Sequence, residues 1–286
     1  MLKKEFKTLI KLSFCIIMII SLPLHSFAAK KVYGPNLREL DKYRKIEYHQ
    51  FEAHPKNCFF GNNEDCGAIK SVEVKGDKSN YIALTFDSSW NNTQTYELLD
   101  LLDEHDVKST FFLTSIFIKD NPEQVKEIAA RGHEIGNHTD THTSFKKYKI
   151  ENDRDKMVSE IAECHKLIKD LLGIDMCLFR FPYGHYTAES IGIVKELGYY
   201  PIQWTADSFD WKNVSALEIL KNLRAEKAYK AGNIVLFHNG ALYTVEALRS
   251  ALLNFKKAGL KCVKVSDLIY TENFYLGKNF RQIENK

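Results

Sequence analysis

The chain has 286 residues, 44% of them hydrophobic and 27% charged, which is enough apolar material for a substantial core and excludes a disordered or fibrous protein. Its formal charge of +3 resides in the first 28 residues, where Lys3, Lys4, Lys7 and Lys11 are opposed only by Glu5. The remainder is neutral by count, so no nucleic-acid partner is expected.

Residues 1–28 pass from lysines through an apolar run at 12–24 to a small-residue step at Ser26, Phe27, Ala28 and Ala29. That is the layout of a secretory signal peptide, and the run is shorter than the roughly 20 residues that span a bilayer. An N-terminal anchor is the alternative. Either one predicts an extracytoplasmic protein, secreted or attached at the wall or membrane surface. Residues 29–79 are rich in Lys, Tyr, Asn and Glu and keep no helical or strand period, so a linker or small N-terminal segment is expected there. Beyond Cys15 lie five cysteines, Cys58, Cys66, Cys164, Cys177 and Cys262, an odd number that leaves at least one thiol. Cys58 and Cys66 bracket a polar, glycine-containing stretch that a disulfide can close in an oxidising compartment.

From residue 80 the pattern changes to short apolar runs alternating with amphipathic stretches, the signature of repeated βα units. Strands are predicted at 81–86, 110–113, 134–137, 177–179, 201–205, 234–237 and 261–263. Helices are predicted at 93–104, 123–131, 156–172, 189–197 and 244–257. This α/β order suits a barrel or a doubly wound sheet over residues 80–268, with a polar tail at 269–286 that wraps the surface or frays.

Asp87, His138, Arg180, Asp207 with Asp210, and His238 each fall at the carboxyl end of a different predicted strand. In a βα barrel those ends converge on the face where loops build active sites. His138 and His142 stand at i and i+4, a separation that suits two ligands of one metal ion. Asp87 suits a general base acting on water and His238 an acid for a leaving nitrogen. Arg180 precedes a Pro-containing turn whose backbone N–H groups can face the pocket and stabilise an oxyanion.

These residues, read as Thr85-Phe-Asp87, His138-x-x-x-His142, Arg180-x-Pro-Tyr-Gly184, Asp207-x-x-Asp-Trp211 and Leu236-x-His238, resemble in order the five motifs of the NodB-homology polysaccharide deacetylases, carbohydrate esterase family four. The resemblance implies a distorted (β/α) barrel of about seven parallel strands. It also implies a divalent metal, zinc or cobalt, and hydrolysis of N-acetyl groups on peptidoglycan or a related N-acetylated glycan. Carried over residue by residue, Asp87 is the base, His138 and His142 are metal ligands, Arg180 orients Asp87, Asp210 tunes the acid His238, the Tyr183 backbone N–H meets the oxyanion, and Trp211 and Leu236 line the acetyl pocket. The stretch at residues 82–90 is also similar to the spore-associated branch of the family, which implies peptidoglycan and spore-cortex modification. No protein partner is implied.

One departure stands out: the residue after the base is normally an Asp that completes the metal ligands, and here it is Ser88. A neutral hydroxyl is a poor zinc ligand, so the site has a weakly held metal, a substitute ligand such as Asp87 or extra water, or no metal. Two alternatives follow. One is a catalytically impaired, glycan-binding member of the same fold; the other is a glycosidase using Asp87 and Asp210 about 5 to 10 Å apart.

Overall fold

The computed structural model describes residues 67–90 and 93–285; the signal peptide or anchor expected at residues 1–28 and the expected Cys58–Cys66 disulfide lie outside them. Strand β1 (Ser71–Val72) precedes β2 (Tyr81–Ser88), α1 (Thr95–Glu104), β3 (Thr110–Leu113), α2 (Ser115–Asp120), α3 (Pro122–Ala130), β4 (Glu134–Asn137) and the long α4 (Ile150–Leu172). There follow β5 (Leu178–Phe179), α5 (Ala188–Glu196), β6 (Tyr200–Pro201), β7 (Ala206–Asp207), α6 (Ala216–Ala225), β8 (Ile234–His238), α7 (Thr244–Lys257), β9 (Lys261–Val263), α8 (Val265–Leu268), β10 (Phe274–Gly277) and β11 (Arg281–Glu284).

The main sheet runs β6-β5-β4-β3-β2-β8-β7, every pair parallel, with β9 also on β2. Both faces of its central strands are covered, which is why β2 and β3 read as nearly unbroken apolar runs. Phe86 stacks between Phe111 and Phe237, at ring distances of 5.0 and 5.7 Å, and the helices close over these rings with Leu98, Leu102, Leu248 and Phe255. Each such buried side chain stabilises the fold by about 1.5–3 kcal/mol. Thus α1 and α7 are fixed by the spacing of their apolar residues, and α4 ends at Gly173, whose φ of 73° supplies the left-handed cap.

The barrel is incomplete between β6 and β7. The single strand expected at 201–205 is two short ones, because the backbone changes partners there: Gln203 N–H donates to Ile69 and Thr205 N–H to Ile234. Residues from the supposed linker fill the seam, with Ile69 bridging Ile202 and Ser71 bridging Asn233. The C-terminal residues differ from expectation in the same way. β10 and β11 form an antiparallel hairpin and β11 pairs with β1, so this tail supplies two strands of an ordered three-stranded sheet rather than a fraying end. Helices α2, α6 and α8 were not predicted. No helix among the described residues is long and apolar enough to cross a membrane.

Candidate active site

Asp87 and His238 are register partners at the ends of β2 and β8, Asp207 ends β7, and His138 and Arg180 each follow the last residue of β4 and β5. The strand ends therefore deliver the predicted residues to one face. Arg180 is fully buried inside the barrel, its guanidinium 4.1 Å from the Phe112 ring centroid and 5.5 Å from that of Trp204. Its Nη1 donates to Asp87 Oδ1 and to Thr85 Oγ1, both at 2.8 Å, and Nη2 donates to the Gln203 carbonyl at 3.3 Å. Burial pushes the Asp87 carboxyl upward, but Arg180, then His138 and His238, outweigh it and hold it below the usual carboxylate range. Asp87 is thus held ionised while only 6% exposed.

His238 is held by a second carboxylate. Its Nδ1–H donates to Asp210 Oδ1 at 2.7 Å and its backbone N–H to Oδ2 at 2.8 Å, while the Thr244 hydroxyl donates to Oδ2 at 2.6 Å. Burial lowers the imidazole pKa, yet the charge and hydrogen bond of Asp210 raise it further, so the net shift is upward. Asp210 is completely buried with both oxygens engaged, which leaves it no face for a sugar and sets aside the two-carboxylate glycosidase reading. A cavity of about 200 Å³ joins Asp87 to His238 and is lined also by Trp90, Trp211 and Asn239 among others. Two larger cavities, of about 330 and 560 Å³, are lined by none of these residues.

The two histidines sit on a tight turn. Thr139 and His142 have φ of 76° and 58°, a left-handed backbone that costs non-glycine residues about 1–2 kcal/mol each. Asn137 Oδ1 accepts from Thr139 N–H at 2.9 Å and Thr139 Oγ1 from His142 N–H at 3.0 Å. The rings of His138 and His142 lie 5.0 Å apart, and Tyr183 and Trp90 reach His142 at 4.6 and 5.5 Å. Tyr183 also has a left-handed backbone, φ 60°, followed by Gly184 at 66°, where a Cβ would crowd Trp204 at 3.1 Å. That turn leaves the Tyr183 ring 60% exposed. Leu236 is buried two residues before His238 on β8, opposite Thr85. It, His142 and Tyr183 do not line the 200 Å³ cavity.

The donors present fit a divalent ion held chiefly through nitrogen. His138 Nδ1–H donates to the Arg180 carbonyl at 2.8 Å, which leaves Nε2, 3.4 Å from Asp87 Oδ2, in the tautomer a metal requires. Burial lowers the pKa of both imidazoles, that of His142 to about 3, and keeps them in the neutral ligating form. Ser88 ends β2 buried, its Oγ without a hydrogen-bond partner, and adds no charge. Among the described residues no group of three or more His, Cys, Asp or Glu is arranged to hold a metal.

Sequence reasoning missed Trp90, which walls the cavity, and Asn137, Thr85 and Thr244, whose hydrogen bonds position the others. Three of them stood beside residues already singled out, Thr85 in the first motif, Asn137 just before His138 and Trp90 two residues beyond Ser88, while Thr244 carried no such signal.

This fold and site are those of a carbohydrate deacetylase, and comparison with known proteins gives the same class. Residues 75–202 match the family model for polysaccharide deacetylases. A Bacillus cereus peptidoglycan-N-acetylglucosamine deacetylase is 34% identical over 193 residues, 66% of this chain and 87% of that protein. Bacillus subtilis PdaA, a peptidoglycan-N-acetylmuramic acid deacetylase, is 30% identical over 201 residues, 70% of this chain and 75% of that one. A solved structure of Bacillus subtilis PdaA superposes with a TM-score of 0.63 at 25% identity, covering 82% of this chain and 89% of that one. A Bacillus anthracis family four pseudoenzyme superposes at 0.62 and 28% identity, covering 68% and 66%. The chain belongs to the polysaccharide deacetylase family, carbohydrate esterase family four.

Proposed function

We propose that this protein hydrolyses the N-acetyl groups of peptidoglycan amino sugars outside the cytoplasm. The observation that carries the reading is the pairing, across one cavity, of an ionised Asp87 fixed by Arg180 with a His238 whose pKa is raised by Asp210. Two groups whose pKa values are driven apart in this way suit opposite proton-transfer roles at neutral pH. Asp87 accepts a proton from water as it attacks the acetamido carbonyl, and His238 donates one to the departing sugar nitrogen. The Tyr183 backbone N–H, presented by its left-handed turn, stabilises the oxygen that takes up charge. A divalent ion, zinc or cobalt, held by His138 and His142 would supply acidification of water and polarisation of the carbonyl.

The relatives named above act on different sugars, N-acetylglucosamine and N-acetylmuramic acid, and the proposal rests on the amide both carry. Because the fold is shared with a pseudoenzyme, activity is argued from the acid and base rather than from the fold. Retention of both, with their partners, disfavours a purely glycan-binding role. The lysines and apolar run of residues 1–28 support export. Acetate release from purified peptidoglycan, followed by mass spectrometry of the digested glycan, tests the reading. The expected product is lighter by one acetyl group per sugar; release of reducing ends without acetate would overturn it.

A further inference from the structure

The His138–His142 turn is bolted to α4 at two consecutive helical residues. Glu160 accepts from Thr141 N–H at Oε2, 2.9 Å, and from the Thr141 hydroxyl at Oε1, 2.5 Å, with the Tyr148 hydroxyl adding a longer bond to Oε1 at 3.4 Å. The Glu160 backbone carbonyl accepts from Asp140 N–H at 2.8 Å. One residue on, the Ile161 carbonyl accepts from Asn137 Nδ2 at 2.8 Å, immediately before His138. The helix itself is tied to the sheet through Cys164 Sγ, 3.2 Å from the Leu113 carbonyl. Glu160 is only 8% exposed and touches no other side chain of the proposed reaction.

We infer that Glu160 is a positioning residue for this site, its carboxylate clamping Thr141 so that the left-handed turn presents His138 and His142 together. Thr139 and His142 hold backbone conformations that relax unless the surroundings over-determine them. The bond from Thr139 Oγ1 is internal to the turn and moves with it, while that from Asn137 ties Thr139 to the end of β4. β3 and α2 hold the near end of the turn, through His138 N–H to the Leu113 carbonyl at 2.9 Å, Ser115 N–H to the Thr139 carbonyl at 3.1 Å and Lys119 Nζ to Asp140 Oδ1 at 3.5 Å; at Thr141 the tie is to α4, where the Glu160 carboxylate receives both the N–H and the hydroxyl. A glutamine at this position can do the same work: its oxygen accepts from Thr141 N–H and its nitrogen donates to the Thr141 hydroxyl. That hydroxyl then turns its proton to Thr143 Oγ1, 2.8 Å away. The requirement is therefore for a fork of two polar atoms, not for charge.

For catalysis the inference rests on the deacetylase reading, but the geometry of the turn can be measured without it. Wild type, Glu160→Ala, Glu160→Gln and Thr141→Val are compared by acetate release, by titration with zinc alone, and by hydrogen exchange over residues 138–143. Glu160→Ala is expected to lower kcat and zinc affinity by roughly 10- to 100-fold, the scale of lost outer-shell support, with KM within about two-fold and faster exchange in the turn. Glu160→Gln is expected within about three-fold of wild type in all three, as a rescue of the same hydrogen bonds requires. A folded Glu160→Ala with wild-type kcat and exchange overturns the inference, and so does a Glu160→Gln as impaired as Glu160→Ala. If Glu160→Ala fails to fold, Thr141→Val decides: kcat lowered at unchanged KM supports the clamp, and wild-type kcat and exchange refute it. If wild type releases no acetate, the deacetylase reading fails while exchange still judges Glu160.

Discussion

Asp210 grips His238 at two points, with Oδ1 on the imidazole Nδ1–H at 2.7 Å and Oδ2 on the backbone N–H at 2.8 Å. One carboxylate therefore fixes both the position and the charge state of the proposed acid. Since the imidazole pKa is raised, the acid is fully protonated below its usual titration range and is lost only as pH rises through the higher value. The alkaline limb of kcat/KM should report that loss. Asp210→Asn removes the raising charge and leaves burial, which acts downward, so the limb should move toward acid. At neutral pH the rate should fall by about 10²-fold, the scale of a general-acid contribution. An unmoved limb in the pH–rate profile would show that another group titrates there.

Direct removal of the proton-transfer groups should be more severe than their detuning. Asp87→Asn and His238→Ala are each expected to lower kcat by about 10²-fold or more. Asp87→Asn keeps an oxygen that can accept from Arg180 Nη1, so the buried guanidinium is not left bare. Circular dichroism and thermal melts should show both variants folded. Near-normal acetate release from either one would mean its role is misassigned.

The fold and its chemistry were legible to different depths. Asp87, His138, Arg180 and His238 could be placed because each ends an apolar run, and parallel strands bring such ends together whatever the sheet's exact closure. Trp211 could be placed because it adjoins Asp210 in a motif. The seam was not legible: Ile69 and Ser71 hold the barrel through backbone hydrogen bonds, which carry no side-chain period. The same is true of the hairpin at residues 274–284, whose alternating strand signal is short and polar. Glu160 was hidden for another reason. Its meaning depends on which face α4 turns to the Thr141 backbone, and a glutamate in a charged helix reads as solvent-exposed until its partner is known.

Trp90 is 60% exposed, walls the cavity beside Asp87, and meets the His142 ring edge-on at 5.5 Å. Trp211, 48% exposed, lines the same cavity. An exposed indole beside a carbohydrate site offers an apolar face to the C–H side of a sugar ring. Trp90→Ala should raise KM for a glycan substrate by roughly 3- to 10-fold, the scale of an aromatic contact, while kcat stays near wild type. Trp90→Phe should recover most of the loss. A fall in kcat with KM unchanged would assign the indole to support of His142 instead.

Ser88 ends β2 next to the base, buried, with an Oγ that makes no hydrogen bond. The two imidazoles are neutral, so an ion held there lacks the negative ligand that normally offsets its charge, and zinc should bind weakly and be lost readily to chelators. Ser88→Asp restores a carboxylate at that position. It should tighten zinc binding by at least about ten-fold, the scale on which a single well-placed ligand or its support acts. A buried carboxylate without metal is unfavourable, so the same variant should be less stable than wild type in chelator and regain stability when zinc is added. Isothermal titration after chelator treatment, paired with thermal melts with and without zinc, measures both effects. Equal affinity in the two proteins would mean that another ligand, such as Asp87, already completes the coordination. No uptake by either protein would remove the metal from the mechanism, leaving Asp87 to activate water through its own charge and Arg180.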